Sequence, residues 1–383
     1  MNLLHNELTG YLIHLLKCGL NGEKPNEKPE NISFEDIFSL AKKHSVANLA
    51  YYAIERLDEQ PSPPLAGEWR EVRDKAVVKG ITQLYERDKV IAALTGAGIN
   101  ICPLKGCLLK EMYPQQDMRV MSDLDILMEH EKAGLVEQIL KSMGYSKKLE
   151  YELGHDVYYK KPVMNIEMHH VLVDHEEVSP ELLEYYRNDW EKLIADKDNP
   201  HLYYMTWNDY YIYFIAHLSK HYCSGGTGIR SIMDIHIFLK NHGSELNQNY
   251  LKQELEKMKL WELKENCEKL AEVWFGDGEA NEALYEMSEY IVQSGTYGTM
   301  HGDVAFFVEK GVRESGESRA LYVLKRLFPS RKQMQRKYRI LKKYSFFLPF
   351  CWILRIIICI VNTGKRTRLK IELETTRNMK KKS

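Results

Sequence analysis

The sequence predicts an α+β fold, in which a small mixed β-sheet is flanked by N-terminal and C-terminal helical regions. Apolar residues recur at helical spacing before residue 95 and again after Pro180. Between these regions, short apolar runs typical of strands alternate with amphipathic stretches. The chain therefore divides into four predicted parts: a helical region 1–83, an α/β core 84–176, a helical domain 177–343, and a C-terminal helix with a tail, 344–383.

The N-terminal region is expected to be entirely helical. Helices are predicted over 1–20 and after Ser33, a typical N-cap residue whose hydroxyl can accept a hydrogen bond from a free backbone amide. The Pro-rich run at 61–65 breaks the chain, and a long helix is predicted over 68–98.

The central region carries the predicted sheet. Strands are expected at 101–104 and 124–128 with a short helix between them, followed by a helix over 130–144 and two paired strands at 155–161 and 163–173. Further helices are predicted at 181–196, 206–222, 229–241, 248–275, 280–293 and 318–328.

Composition is that of an ordinary globular protein. The 383 residues are 44% hydrophobic and 28% charged, which excludes wholesale disorder, a collagen-like repeat and a multi-span membrane protein. The seven cysteines form no CxxC pair, which argues against a disulfide framework or a zinc ribbon. A cytoplasmic location fits best, and the N-terminus lacks the basic segment of a signal peptide.

The net charge of −1 hides a strong asymmetry. Residues 310–383 carry 21 Lys and Arg against 4 Asp and Glu, whereas residues 1–309 carry 32 basic and 50 acidic residues. This distribution indicates contact between the two parts, or an anionic surface bound through residues 310–383. Solvated helix faces are the alternative.

The C-terminal region contains the apolar run SFFLPFCWILRIIICIVN at 345–362. As a helix it would span ~27 Å, slightly less than a bilayer core. Pro349 and Arg355 interrupt it and basic residues flank it on both sides, which argues against a transmembrane span. We expect a helix that packs on the body, and a membrane-peripheral helix is the alternative.

The most informative stretch is RVMSDLDILM, where Asp123 and Asp125 stand at the start of a predicted strand. Alternate residues of a strand share a face, so both carboxylates point the same way, ~7 Å apart at their Cα atoms. Two such carboxylates repel each other unless a cation lies between them, and hard oxygen ligands suit Mg²⁺.

A third acidic residue lies on a later strand. In MNIEMHHVLV, strand alternation places Asn165, Glu167 and His169 on one face, opposite apolar side chains. If Glu167 joins the two aspartates, three carboxylates can hold two Mg²⁺ ions ~4 Å apart, the arrangement used for in-line phosphoryl transfer. An exposed strand face with solvated acids is the alternative.

The turn PLKG at 103–106 lies upstream of the acidic pair. Gly106 is expected to open a helix whose backbone N–H groups can bind a phosphate, and Lys105 adds positive charge for a triphosphate. The turn is neither a Walker A loop nor a Rossmann fingerprint. A solvated Lys105 is the alternative.

These motifs together resemble the uncharacterised nucleotidyltransferase family of the DNA polymerase beta-like nucleotidyltransferase superfamily. The likeness extends to LAKKHSVANLAYYAI near the N-terminus, to residues 217–239 and to LPFCWILR. Its core is the order LKG, YPxxxxRxxSDLDIL and IEMHH, which matches Lys105-Gly106, Tyr113-Pro114, Arg119, Asp123, Asp125 and Glu167 to the family's pattern.

Two features depart from that pattern. The superfamily's usual Gly-Ser turn is Lys-Gly here, so a hydroxyl contact to the phosphates is missing unless Ser122 supplies it. The third acid is Glu167 rather than an aspartate, and its side chain is longer by one methylene group. Asp174 is the fallback, although its strand parity is opposite.

The resemblance implies an enzyme that transfers a nucleoside monophosphate from an NTP such as ATP to an acceptor hydroxyl, with release of pyrophosphate. Asp123 and Asp125 would hold two Mg²⁺ ions, with Mn²⁺ as a substitute, and Glu167 would complete the second site and help to activate the acceptor. Lys105 and Arg119 would neutralise the triphosphate. A structural salt bridge is the alternative for Arg119.

Further residues are predicted to contact the nucleotide or the acceptor. For Lys220, His221, Arg230 and Asp234, hydrogen bonding between helices is the alternative. His217 and His221 have the spacing of a zinc pair, but HLSKH lacks the Glu of HExxH. The predicted contact residues are Ser122, His169, Lys220, His221, Arg230 and Asp234.

Three functions follow from these observations. The first is a Mg²⁺-dependent nucleotidyltransferase that acts on a small molecule, a protein side chain or an RNA end. The second is an RNA-binding or toxin–antitoxin-type module that uses the basic segment, although no RNP motif or zinc finger supports it. The third is a membrane-peripheral protein with an inactive site, against which the intact DxD argues.

Overall fold

The larger part of the chain is described by a computed structural model. The described residues are 6–148, 154–173, 180–224, 226–279, 281–296, 328–331, 334, 341 and 344–361. Contacts between Cα atoms divide the chain into two units, which are Met1–Lys220 with Gly228–Thr296, and His221–Thr227 with Tyr297–Ser383.

The N-terminal region is helical, as predicted. Ser33 caps the second helix, because its Oγ accepts the N–H of Asp36 at 3.0 Å. The fourth helix begins earlier than expected, since Pro63 and Pro64 are tolerated in a first turn. The helices are α1 (Glu7–Asn21), α2 (Phe34–Lys43), α3 (Ala47–Ile54) and α4 (Pro63–Gly96).

Helix α4 connects the helical region to the sheet. It contacts α3, and its Val90 and Leu94 are buried in the hydrophobic core beside the sheet. It therefore runs across residue 83, where a boundary was predicted. The division of the chain into four parts stays a prediction.

The central region forms the predicted mixed sheet, which confirms the α+β fold class. Its strand order is β1-β2-β5-β4-β3, in which β2 and β5 are parallel and every other pair is antiparallel. The elements are β1 (Ile101–Pro103), α5 (Gly106–Met112), β2 (Leu124–Met128), α6 (Ala133–Ser142), β3 (Ser146–Lys147), β4 (His155–Lys160) and β5 (Met164–His169).

One face of this sheet is apolar and buried. Leu124 and Ile126 of β2 and Ile166 and Met168 of β5 join one core with side chains of α4 and α6. Since side chains alternate along a strand, the residues between them must point to the opposite face. The polar residues of β2 and β5 therefore share that opposite face.

The described residues after Pro180 are mainly helical, apart from one hairpin. The predicted helix over 248–275 is divided in two by a turn at Lys259, whose φ is +59°. The predicted helix over 181–196 is wrong, because the helix ends at Tyr185 and a hairpin follows. Asp196 Oδ1 accepts the N–H groups of Asp198 and Asn199 at 2.9 and 3.0 Å, a side-chain turn that competes with helix. The elements are α7 (Pro180–Tyr185), β6 (Leu193–Ala195), β7 (Tyr203–Met205), α8 (Trp207–Ser224), α9 (Ile229–His242), α10 (Gln248–Lys257), α11 (Trp261–Phe275) and α12 (Tyr285–Ser294).

The apolar run near the C-terminus forms helix α13 (Leu348–Val361). Its Cys351 packs with Met334 and Leu341. No helix within the described residues has both the length and the apolar character that a membrane crossing requires. The predicted helix over 318–328, apart from Phe328, and most of the basic flanks of α13 lie outside the described residues.

A buried imidazole joins three helices of the first unit. His44, after α2, accepts the N–H of Ile229 at Nδ1 over 3.2 Å, and its Nε2 lies 3.1 Å from the carbonyl oxygen of Val292 in α12. Burial, with a smaller contribution from Lys43, lowers the pKa of His44 to about 4. A neutral imidazole accepts one hydrogen bond and donates one, so it satisfies both contacts if Nε2 carries the proton.

We therefore expect acid to destabilise the protein through His44. The unfolded imidazole takes up a proton near pH 6.5 and the folded one only near 4, so stability is full above pH 6.5 and falls as the pH drops towards 4. Urea titrations at pH 7 and pH 5 should show that wild type loses about 2 kcal/mol more than His44→Gln. An equal loss in both proteins would contradict the neutral assignment.

Candidate active site

The polar face of the sheet brings three of the predicted residues together. Asp123 stands directly before β2, and Asp125 lies within it and is only 6% exposed. Glu167 is the direct neighbour of Asp125 on the parallel strand β5. Adjacent strands lie about 4.8 Å apart, so this register holds two carboxylates side by side. Asp123, Asp125 and Glu167 are called the acidic group below.

Asp125 makes the densest contacts in this group. Its Oδ1 lies 3.3 Å from Lys105 Nζ and 2.8 Å from His169 Nε2. One ligand atom each from Asp125, Glu167 and His169 lie within 4.8 Å of one another, which is close enough for one metal ion. The donor set of two carboxylates and an imidazole therefore fits a divalent cation.

The pKa values of the three acids are pushed apart. Burial alone would raise the pKa of Asp125, but Lys105 and the hydrogen bond to His169 hold it well below its usual range. Burial and the charges of Asp125 and Asp123 raise the pKa of Glu167 to about 7. Burial and Asp125 also raise the pKa of Asp123. Like charges packed this closely would be relieved by a bound cation.

Two imidazoles flank Glu167. His155 on β4 is the cross-strand partner of His169, and the two ring centroids are 5.1 Å apart. The Nε2 atoms of His155 and His169 lie 3.7 and 3.8 Å from Glu167 Oε2. His155 was not among the predicted site residues. Its position depends on the register of β4 against β5, which alternation within one strand does not reveal.

The turn between β1 and α5 is strained at Lys105. Lys105 has φ +42° and ψ −111°, a conformation rare for residues with a side chain. The Tyr210 hydroxyl of α8 donates to the Lys105 carbonyl at 2.8 Å and stabilises this turn. A Cβ on Gly106 would lie 2.9 Å from Arg119 Nη1 and 3.0 Å from Met121 Sδ, so a larger residue would have to displace these side chains.

The backbone donors of this turn are partly used within it. The N–H groups of Cys107 and Leu108 donate to the carbonyls of Leu104 and Lys105 at 3.3 and 3.2 Å. The first N–H groups of a helix are normally free to bind an anion, but two of them are already used here. Fewer backbone amides therefore remain for the expected phosphate contact at Gly106.

Arg119 is engaged elsewhere. Its Nε and Nη2 donate to the two carboxylate oxygens of Asp234 in α9, at 2.7 and 2.9 Å. Both side chains are buried. The Tyr113 hydroxyl donates to the same carboxylate at 2.7 Å. A bidentate pair of this kind is a structural contact, and a triphosphate could reach Arg119 only if the pair opened.

The loop before β2 is held by two helices. Gln83 of α4 donates from Nε2 to the carbonyl of Met121, and Arg230 of α9 donates from Nη1 to the carbonyl of Val120, each at 3.0 Å. The exposed Ser122 lies at the end of this loop, and its Oγ donates to Asp123 Oδ1 at 3.2 Å. These contacts fix the loop that places Ser122 beside Asp123.

The roles of three further predicted residues stay predictions. Lys220 is an exposed residue of α8, and His221 belongs to the other unit of the chain. Asp174, the fallback for Glu167, lies outside the described residues.

A further cation was missed by sequence reasoning. Lys79 of α4 is partly buried, and burial lowers its pKa. The positive charge of Arg230 also lowers this pKa, whereas the negative charge of Asp123 raises it. Within the described residues it makes no hydrogen bond or close ion pair. No motif marks Lys79, because it lies 44 residues before Asp123 and only the packing of α4 brings it there.

We expect the Arg119–Asp234 pair to be needed for stability. Asp234→Asn leaves a buried guanidinium without its counter-charge and should cost about 3–5 kcal/mol, whereas Arg119→Met with Asp234→Leu should recover much of that loss. Chemical denaturation measures both effects. Glu184→Gln, in the exposed pair with Arg187, is the control and should change stability by under ~0.5 kcal/mol. A loss below about 1 kcal/mol in Asp234→Asn would contradict the structural role.

Comparison with known proteins assigns the family. The solution structure of the antibiotic-resistance factor ANT(2'')-Ia is similar to part of the chain at 13% identity, with a TM-score of 0.26 that marks a loose superposition, over 55% of this chain and 96% of that one. No curated protein matches the sequence. The model of the uncharacterised nucleotidyltransferase family matches residues 30–276, well over half of the chain. The resemblance predicted from the motifs is thereby confirmed, and the chain is an enzyme that belongs to the uncharacterised nucleotidyltransferase family.

Proposed function

We propose that the protein transfers a nucleoside monophosphate from an NTP to an acceptor hydroxyl, with release of pyrophosphate and dependence on Mg²⁺. The observation that carries the proposal is the parallel register of β2 and β5, which sets Asp125 beside Glu167. Asp123 completes a group of three carboxylates on one sheet face. Such a group is suited to binding the divalent cations that accompany nucleoside triphosphates.

The proposed cation ligands are Asp123, Asp125 and Glu167, with Mn²⁺ as an alternative to Mg²⁺. When bound, such ions neutralise charge on the phosphate oxygens and favour deprotonation of the acceptor hydroxyl. The raised pKa of Glu167 and Asp123 and the crowding of charge at Asp125 support this assignment, because a cation would relieve both.

Lys105 and Lys79 are the positive side chains of the proposed site. Lys105 contacts Asp125 at 3.3 Å, and Lys79 lies near Asp123. In the proposed reaction they neutralise the triphosphate and the growing negative charge on the leaving pyrophosphate. The exposed hydroxyl of Ser122 is the proposed hydrogen-bond donor to a phosphate oxygen.

Glu167 is the proposed base. A carboxylate oxygen of Glu167 that does not bind the cation can accept a proton in general-base catalysis. Its carboxylate takes the proton of the acceptor hydroxyl while the acceptor oxygen bonds to the α-phosphorus. The bond from that phosphorus to the bridging oxygen of pyrophosphate then breaks, and the electron pair leaves with pyrophosphate.

The first test is transfer of label from each α-³²P nucleoside triphosphate, with Mg²⁺, to components of a host-cell extract. Asp125→Asn should reduce transfer by roughly 10³-fold or more, because it removes a charge at the centre of the acidic group. Asp88→Asn, the same substitution at an exposed residue of α4, is the matched control and should leave transfer unchanged. Circular dichroism should show both variants folded. Full transfer by folded Asp125→Asn would rule out the proposed site.

A second test concerns Lys79. Lys79→Met should lower kcat/KM for the NTP about tenfold, since it removes one positive charge beside Asp123. Lys75→Met, one turn earlier on α4 and exposed in a pair with Glu71, is the control. If both variants fall equally, Lys79 has no specific role in binding the triphosphate.

A further inference from the structure

Beside the acidic group lies a nitrogen donor, His169 Nε2, that the proposed Mg²⁺ chemistry does not require. Among the described residues, the one group of three metal-binding side chains consists of Asp125, Glu167 and His169, and Asp123 is not a member. His169 Nε2 lies 2.8 Å from Asp125 Oδ1 and 3.8 Å from Glu167 Oε2. Ligand atoms that bind one ion at about 2.1 Å are roughly 3.0–3.4 Å from one another. The two distances from His169 Nε2 bracket this range, so small side-chain shifts would suffice to bind an ion.

The fold presents these donors together. Glu167 and His169 are alternate residues of β5 and share a face, and Asp125 is the register partner of Glu167 on β2. The three side chains therefore converge from two adjacent strands at the centre of the sheet. Positions on paired strands hold ligands more accurately than positions on a loop would.

We propose that the Asp125–Glu167–His169 position binds a first-row transition-metal ion of the Mn²⁺ type in preference to Mg²⁺, with His169 Nε2 as a direct ligand. Mg²⁺ favours oxygen ligands in octahedral geometry, whereas imidazole suits transition ions. The oxygen-only position at Asp123 and Asp125 remains available to Mg²⁺ delivered with the nucleotide. The inference deepens the proposed function by naming the cofactor class of one of its two metal positions.

The competing role for His169 is orientation. In that role His169 Nε2 donates a hydrogen bond to Asp125 and never touches the metal. Removal of His169 would then weaken Mg²⁺ and Mn²⁺ binding alike, because both depend on Asp125. A direct ligand makes a different contribution, since its loss weakens the transition ion selectively.

The test uses the full chain and metal alone, without nucleotide. In wild type, Mn²⁺ should bind at least about tenfold more tightly than Mg²⁺ by calorimetric titration. Pulsed electron paramagnetic resonance of bound Mn²⁺ should show coupling to an imidazole ¹⁴N nucleus. His169→Asn should abolish that coupling and weaken Mn²⁺ binding at least about tenfold, with less than about a threefold change for Mg²⁺.

The control removes a competing histidine pair. His130 Nδ1 lies 3.0 Å from His170 Nδ1 in an exposed pair that could itself bind a transition ion. His130→Asn should leave Mn²⁺ affinity and ¹⁴N coupling unchanged. Loss of the coupling in His130→Asn would move the metal to that pair and overturn the inference.

The outcome is separable from that of the proposed function. Absence of ¹⁴N coupling in wild type, which needs no variant to fold, or equal weakening of both metals in His169→Asn would overturn the inference. Label transfer with Mg²⁺ could still succeed in that case. Conversely, imidazole-bound Mn²⁺ without transfer from any nucleotide would support this metal position while contradicting the proposed reaction.

Discussion

The parallel pairing of β2 with β5 is the constraint on which the site depends. It sets Asp125 beside Glu167, and the same pairing sets Leu124 beside Ile166 and Ile126 beside Met168. One register therefore serves both sheet faces, burying the apolar residues against α4 and α6 and crowding carboxylates on the other side. A slip by one residue would exchange the two faces, so the hydrophobic core and the acidic group enforce each other.

The crowding of charge is what makes the site chemically distinct. Each carboxylate is partly or fully buried and lies close to another, so the pKa values of Asp123 and Glu167 rise while Lys105 and His169 keep Asp125 ionised. A structure that depended on stability alone would avoid such an arrangement. Its persistence at the centre of the sheet supports a functional role for the face as a whole.

The helical regions hold the turns around the sheet. Tyr210 of α8 donates to the carbonyl of Lys105, and Gln83 of α4 donates to the loop before β2. Asp234 of α9 accepts two hydrogen bonds from Arg119. The predicted role of Arg119 at the triphosphate competes with this last contact. Lys79 of α4, whose pKa responds to the charge of Asp123, is the cation proposed in its place.

Local regularities of the chain were enough to predict much of the fold and part of the site. Alternation within a strand is a property of the extended backbone, so it placed Asp123 with Asp125 and Glu167 with His169 before any packing was known. The same reasoning found the bounds of β2 and the cap of α2, because both depend on neighbouring residues. It missed the hairpin of β6 and β7, whose pairing depends on a side-chain turn at Asp196.

Only the tertiary structure decided which distant groups meet. The register of β2 against β5, the approach of His155 to Glu167 and the pairing of Arg119 with Asp234 join residues far apart in the chain. Such contacts are selected by the packing of whole elements, since a charged side chain carries no local signal that names its partner. The sequence by itself thus determined the acidic candidates Asp123, Asp125 and Glu167, because strand alternation is local. The tertiary structure decided which groups meet them, because packing brings His155 to Glu167 and pairs Arg119 with Asp234.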